Sequence, residues 1–420
     1  MTRFVLAILL ASSGADLSAQ GFRGAGWLTS QAEVHDVRAA AMGRSGAFLS
    51  DASPLSFVQN PARLAEASVA PVLRVSVTGH PNYRDFFGGS LGVSTGHVAA
   101  TRAVGPVALG AVASTQSRQE TLTNELGESF GEVDTGDRTF AVGAALRLGA
   151  PRAHLDVGTT LRLTQLRGLF NSVNADGVLE TQTSTRPSVD IGALATVHLF
   201  SRASSGATRN AVRPTAAVSA GYTQRAIGSA FEGDFLRNEA IQIEQPRTGV
   251  VGLAIQIGLD APASRGDLRL VALDVAAEAE SALNTFASDD ASGGRPPVDR
   301  AVLIGAIQAQ NAVLGTSRGE TVEGQRGARL TVAETLWLAL GRSEGPYGEF
   351  RSLQTGGLGV SLSGALRAVG ALQEDEALVR LGNRYDLTLG ISRATLRSSF
   401  EPAETILSYR LFTVGGAARL

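Results

Sequence analysis

The chain has 420 residues, 37 basic against 39 acidic for a net charge of −2, and no cysteine. The missing thiol excludes a disulfide framework, a cysteine zinc site, an iron–sulfur site, a thiol nucleophile and a lipoprotein anchor, and the near-zero charge lacks the basic excess of a nucleic-acid binder. The residues are 44% hydrophobic but only 5% aromatic, and beyond the N-terminus no apolar run approaches the length of a membrane helix, a combination that a membrane β-barrel produces.

The first residues read as an export signal. Arg3 supplies a positive start, Phe4 to Ala11 form an apolar stretch, and Leu17-Ser18-Ala19 offers a small-residue cleavage site. Residues 1–19 are therefore expected to be a signal peptide. Residues 20–68 are rich in Gly and Ala and are interrupted by Pro54 and Pro61. They predict turns and short helices rather than strands, with one helix between Ala32 and Met42. Asn60-Pro61-Ala62 predicts a helix cap with proline at the first helical position.

From residue 69 to 420 the apolar pattern has a period of two. Val157, Thr159, Leu161 and Leu163 alternate with Gly158, Thr160, Arg162 and Thr164, and Val271, Leu273 and Val275 alternate with Ala272, Asp274 and Ala276. A helix would repeat its apolar residues at three and four instead. The segments also exceed the usual globular strand and reach membrane-strand length. The expected strands are 69–79, 86–100, 106–119, 137–149, 154–170, 186–200, 212–225, 246–260, 267–281, 298–311, 327–343, 351–369, 381–398 and 405–420. Those at 298–311 and 351–369 are rich in Ala and Leu and also admit a helical reading. The fold class expected is all-β: a transmembrane antiparallel barrel of about fourteen strands at 69–420, with the N-terminal segment 20–68 as a hatch.

Barrels of the outer membrane alternate short periplasmic turns with longer external loops. The connections 120–136, 171–185, 226–245 and 282–297 are long, and 150–153 and 261–266 are short, in phase with that rule. The phase breaks at 312–326 and 344–350. The alternation directs Arg147, Arg162, Asp190, His198, Asp274, Glu278, Glu280 and Asp386 to the lumen. Charged side chains facing a lumen suit a polar interior.

Few motifs point to chemistry. Gly92-Val93-Ser94-Thr95-Gly96, next to His97, fits the string of a hydrolase nucleophile elbow, but that elbow needs a strand-to-helix turn and the string lies inside an alternating strand. His35, His80, His97, His154 and His198 show no metal-ligand spacing. The polar loop around Asp289-Asp290 reads as solvated, and Gly356-Gly357-Leu358-Gly359 lacks the context of a nucleotide fingerprint and fits tight packing in a sheet. No cofactor and no metal site are expected.

Residues 36–65 carry a longer pattern: Asp36-Val-Arg38-Ala-Ala-Ala-Met42-Gly43-Arg-Ser-Gly46, then Asp51-Ala52, then Asn60-Pro61-Ala62. This resembles the N-terminal signature of the PorV/PorQ family within the FadL-like outer-membrane proteins. The resemblance implies a barrel with an N-terminal hatch in its lumen, with Arg38, Met42, Gly43, Gly46, Asp51, Asn60, Pro61 and Ala62 as structural hatch residues. It implies a non-catalytic role at the cell outer membrane in one of two forms. A PorV-like protein works with type IX secretion-system components, and a FadL-like one imports a hydrophobic ligand. An outer-membrane esterase using the Ser94 region and a purely structural surface protein are the alternatives of other classes. The expected partners are outer-membrane lipid and either secretion components or a hydrophobic ligand, with no nucleic acid.

Overall fold

A computed structural model describes residues 37–49, 55–67, 72–84, 90–123, 129–173, 179–200, 212–229, 231–235, 239–243, 247–263, 266–282, 322–347, 350–398 and 405–419. The expected signal peptide, Asp51 and the strand expected at 298–311 lie outside the described residues.

The described chain opens with short helical pieces: α1 (Val37–Ala41), 3-10 turns at Ser56–Val58 and Pro61–Arg63, and α2 (Leu64–Ala67). Strands follow: β1 (Val72–Arg84), β2 (Ser90–Val104), β3 (Val107–Thr123), β4 (Ser129–Ala150), β5 (Ala153–Val173), β6 (Leu179–Phe200), β7 (Arg213–Gly228), β8 (Phe231–Phe235), β9 (Glu239–Ile243), β10 (Thr248–Ala263), β11 (Gly266–Ala282), β12 (Val322–Val332), β13 (Leu336–Tyr347) and β14 (Phe350–Ser361). After helices α3 (Leu362–Leu372) and α4 (Glu376–Arg384), β15 (Tyr385–Ser398) and β16 (Thr405–Arg419) complete the chain. The strands are antiparallel to their neighbours, and β8 and β9 form a separate hairpin in the β7–β10 connection. The remaining strands hydrogen-bond in chain order, and β1 pairs both with β2 and with β16, so the sheet closes on itself. Among the described residues no helix is long and apolar enough to cross a membrane.

The structure revises the expected strands in the last third of the chain. The segment expected as one strand at 327–343 is a hairpin, β12 and β13, reversed at Ala333 and Glu334, both with positive φ (50° and 53°). Such a turn normally announces itself by Asn-Gly or Asp-Gly, and Ala-Glu carries no such signal. The segment expected as one strand at 351–369 is β14 up to Ser361 and helix α3 beyond it. Ser361 caps that helix, its hydroxyl accepting from the Gly364 N–H at 3.3 Å. A second helix follows, capped by Asp375, which accepts from the Ala377 N–H at 2.8 Å. The connection expected at 344–350 mostly belongs to β13. With these changes the connections at 105–106, 151–152, 264–265 and 333–335, the helical pair α3–α4 and both ends of the closed sheet fall at one end. The break in the loop alternation at 344–350 came from this misread stretch.

Period-two alternation puts one set of side chains outside. The register turns that set into continuous rows. Ile257, Leu273, Leu330, Leu338 and Leu358 are direct partners across β10 to β14, and each is at least 40% exposed. One step along the strands, Leu259, Val271, Val332, Leu336, Val360 and Leu389 make a second exposed row reaching β15. On the opposite side, Val142, Leu161 and Val189 do the same across β4, β5 and β6. Monomeric soluble proteins rarely leave so continuous an apolar surface exposed to water.

The inward positions are buried and largely polar: Thr160, Arg162 and Thr164 on β5, Ser188 and Asp190 on β6, Asp274, Glu278 and Glu280 on β11. The apolar core is small and consists of the N-terminal segment meeting the wall. Met42, Phe48 and Leu49 pack with Leu194, Val250, Ala254 and Trp337. Phe57, Val58 and Leu64 pack with Ala99, Val112 and Ala141.

Candidate functional site: the N-terminal segment and the inner wall

Residues 37–49 and 55–67 sit on the inner wall, and three kinds of contact hold them there. The first is local. Asn60 caps the 3-10 turn that follows it, its side-chain oxygen accepting from the Ala62 N–H at 3.1 Å, with Pro61 at the first position. The same carboxamide donates to the Ala47 carbonyl at 3.2 Å, and Arg63 donates to the Gly46 carbonyl at 2.6 Å. Two stretches of chain that would otherwise diverge are thereby tied into one unit. Gly43 adopts a φ of +71° and Gly46 lies against the Ala39 side chain, conformations and clearances that a side chain would spoil.

The second kind is close packing against glycines of the wall. A Cβ on Gly158 of β5 would lie 2.5 Å from the Pro61 carbonyl carbon and 2.8 Å from the Ala62 nitrogen. One on Gly192 of β6 would fall inside the Asn60 carboxamide. On the far side, Gly327 of β12 and Gly341 of β13 receive the backbone of Met42 and Gly43 in the same way. Gly221 of β7 and Gly252 of β10 flank the Phe48 ring, Gly110 of β3 lies under Leu64, and Gly357 of β14 meets Ala41. The segment thus reaches around the lumen from β3 to β14. A strand glycine of this kind marks close approach of another backbone.

The third kind is polar. Glu278, 1% exposed, accepts the N–H groups of Gly46 and Ala47 at 2.6 and 2.8 Å. Thr355 accepts from the Gly43 N–H and donates to the Ala41 carbonyl, both at 2.8 Å. Arg162 donates to the Val58 carbonyl at 3.3 Å and forms an ion pair with Asp190. Asp190 also accepts from the Ala226 N–H at 2.8 Å. Ala226 has a φ of +56° and sits in a bulge, where β7 places two residues opposite one of β6. The carboxylate thus satisfies a backbone donor that the sheet leaves free.

Around this centre the wall neutralises its own charges. Asp274 pairs with Arg329 opposite it on β12, and Arg225 reaches Glu280 at 2.6 Å. Glu280 and Glu323 face each other across β11 and β12, and the Gln325 amide donates to both at 3.0 Å. A gap of about 270 Å³, counting space open to solvent, runs between segment and wall beside Arg44, Gln59, Arg225, Glu278 and Gln325.

The structure therefore brings together most of the residues singled out by sequence. Met42, Gly43, Gly46, Asn60, Pro61 and Ala62 form the segment's buried contact with the wall, and Arg38 is half-buried in α1. Arg162, Asp190, Asp274 and Glu278 are buried on the inner side. Arg147 lies on the same side at the tight-turn end, bound to Asp156 through two bonds of 2.8 and 2.7 Å. His198 is half-buried, its ring 5.7 Å from that of His154. Asp386 is the second residue of β15. The Gly92–Gly96 string lies within β2, whose end leads by a two-residue turn into β3 and not into a helix. Sequence reasoning read the cluster holding Gly357 as tight packing but missed the other wall glycines, Thr355 and Arg329. Each is unremarkable until the register sets it against its partner.

No family model matches the chain, and no curated protein matches it. Among solved structures, the chain is similar to the toluene transporter TbuX of Ralstonia pickettii, with 12% identity and a TM-score of 0.48 over 92% of this chain and 99% of that one. The P. putida toluene transporter TodX aligns at 12% identity and a TM-score of 0.43 over 92% and 99%. A FadL homologue of Pseudomonas aeruginosa aligns at 11% identity and a TM-score of 0.43 over 91% and 98%.

Proposed function

We propose that the chain is an outer-membrane β-barrel whose lumen is occupied by its own N-terminal segment, and that it passes hydrophobic molecules across that membrane without catalysing a reaction. The carrying observation is the pairing of opposites across one sheet. Continuous apolar rows lie outside, where lipid would cover them, and a segment clamped by wall glycines and Glu278 lies inside. A lumen filled in this way suits gated passage and not free diffusion of polar solutes. The hydrophobic character of the cargo rests on the resemblance of residues 36–65 to FadL-like proteins. The toluene transporters named above are consistent with it.

The closer likeness of that motif to PorV keeps a secretion role as the second reading. One pair of assays on a deletion strain separates the two. Loss of uptake of a labelled long-chain fatty acid or monoaromatic compound, with surface cargo intact, supports transport. Loss of surface cargo with uptake intact supports secretion. Recovery of the chain in the soluble periplasmic fraction would overturn both.

The lipid-facing assignment carries its own prediction. Leu338, 51% exposed in the first apolar row, should not tolerate charge. Leu338→Arg is expected to cost about 2–4 kcal/mol if the row lies near the bilayer midplane, read as a lower urea midpoint for the barrel refolded in liposomes. Exposed Arg326 of β12 is charged in the native chain and lies outside this row.

A further inference from the structure

One group of buried side chains plays no part in docking the segment's centre. Glu66 stands near the end of α2, and His154 and Asp156 stand near the start of β5, at the tight-turn end of the lumen. Their ligand atoms lie within 4.8 Å of one another and all three residues are buried. The His154 side chain is 3% exposed, and neither of its ring nitrogens has a hydrogen-bond partner. Its Nε2 lies 3.7 Å from Asp156 Oδ2, too long for a hydrogen bond. A buried imidazole with both nitrogens unmatched bears the full desolvation cost of those atoms. An unmatched ring nitrogen within 4.8 Å of two carboxylates is an arrangement that a shared cation would satisfy.

We propose that Glu66, His154 and Asp156 form a binding site for a divalent transition-metal ion, best matched by zinc, that fastens the end of the N-terminal segment to β5. One imidazole and two carboxylates are a zinc-type donor set. Ligand bonds of about 2.0–2.2 Å put tetrahedral donors roughly 3.3–3.5 Å apart. The 3.7 Å between His154 and Asp156 is close to that, and Glu66, on a four-residue helix, is the arm that closes. The His198 ring lies 5.7 Å from that of His154 and outside the three-residue group. Arg147 now holds the positive charge there, bonded to Asp156 and 3.9 Å from Glu66. Its side chain is 37% exposed, so it can withdraw to solvent when a cation arrives. Two charges of the same sign compete for one pair of carboxylates.

The test is isothermal titration of the full chain in detergent micelles with zinc chloride, with magnesium chloride as the hard-cation control. The expected result is one saturable zinc site and no magnesium binding. His154→Ala should weaken zinc by at least about tenfold, since loss of even an outer-sphere partner costs that much, and Glu66→Gln should weaken it similarly. Arg147→Met should tighten it. Heat-modifiable gel mobility verifies that each variant keeps its barrel. Absence of saturable zinc binding, or an unchanged affinity in His154→Ala, overturns the site. An unchanged affinity in Glu66→Gln overturns the link to the N-terminal segment. The readout is metal binding by the folded chain, so it stands or falls separately from the transport reading.

Discussion

Replacing Glu278 with leucine is expected to free the N-terminal segment from the wall and raise the conductance of the barrel. Glu278 is 1% exposed and its carboxylate accepts two backbone N–H groups, from Gly46 and Ala47. A buried donor left without an acceptor costs about 1–3 kcal/mol. Removing the carboxylate leaves two such donors and therefore takes away about 2–6 kcal/mol of docking. The wall itself depends less on this residue, because its ladders to β10 and β12 are backbone bonds. The loss falls on the segment first. Single-channel recordings of purified protein in planar bilayers should show larger and more frequent openings for Glu278→Leu than for the parent. Limited proteolysis should cut within residues 37–67 sooner. Glu278→Gln keeps one acceptor oxygen and should fall between the two. A leucine variant with the conductance and protease resistance of the parent would show that packing on the glycines alone holds the segment.

The second large effect is expected at Arg162. This residue and Asp190 form an ion pair in which both side chains are at most 2% exposed. Breaking such a pair by removing one partner typically costs about 3–5 kcal/mol, because the other charge is left buried and uncompensated. Arg162→Met should accordingly lower the unfolding free energy in detergent by that amount. Adding Asp190→Asn should return part of the loss, since the amide oxygen can still accept from the Ala226 N–H and no charge is stranded. Asp190→Ala alone should be worse than Asp190→Asn, because it strands both Arg162 and the donor in the bulge. A double-mutant cycle over these variants measures the coupling. Additive effects would mean that the pair contributes nothing beyond its separate hydrogen bonds.

How much of this was legible beforehand depends on the distance over which each feature is specified. The period of two is written in neighbouring residues, so it places Arg162, Asp190, Asp274 and Glu278 on one face without reference to the rest of the chain. The cap at Asn60-Pro61 is equally local. The stretch from 327 to 369 was misread for the complementary reason. Ala333 and Glu334 have no intrinsic preference for positive φ, and the turn is held from outside. Glu334 accepts from the Arg269 N–H at 3.0 Å and pairs with Arg367. At Ser361 a Gly-rich strand passes directly into an Ala- and Leu-rich helix with no intervening turn, and the Ser361 cap marks the boundary.

By itself, then, the sequence determined which residues face in and which face out, because pleating is a property of consecutive residues. It also specified the 3-10 turn at Pro61–Arg63, through a proline and a capping side chain. Only the tertiary structure decided who meets whom. Register aligned isolated leucines into apolar rows, set Arg162 against Asp190 and Asp274 against Arg329, and laid Asn60, Pro61 and Met42 into clearances left by glycines on distant strands. It also gathered Glu66, His154 and Asp156 at one point. Those partners are far apart along the chain, and nothing local encodes the distance between them. That distance follows from strand pairing and from the closure of the sheet around the segment it holds.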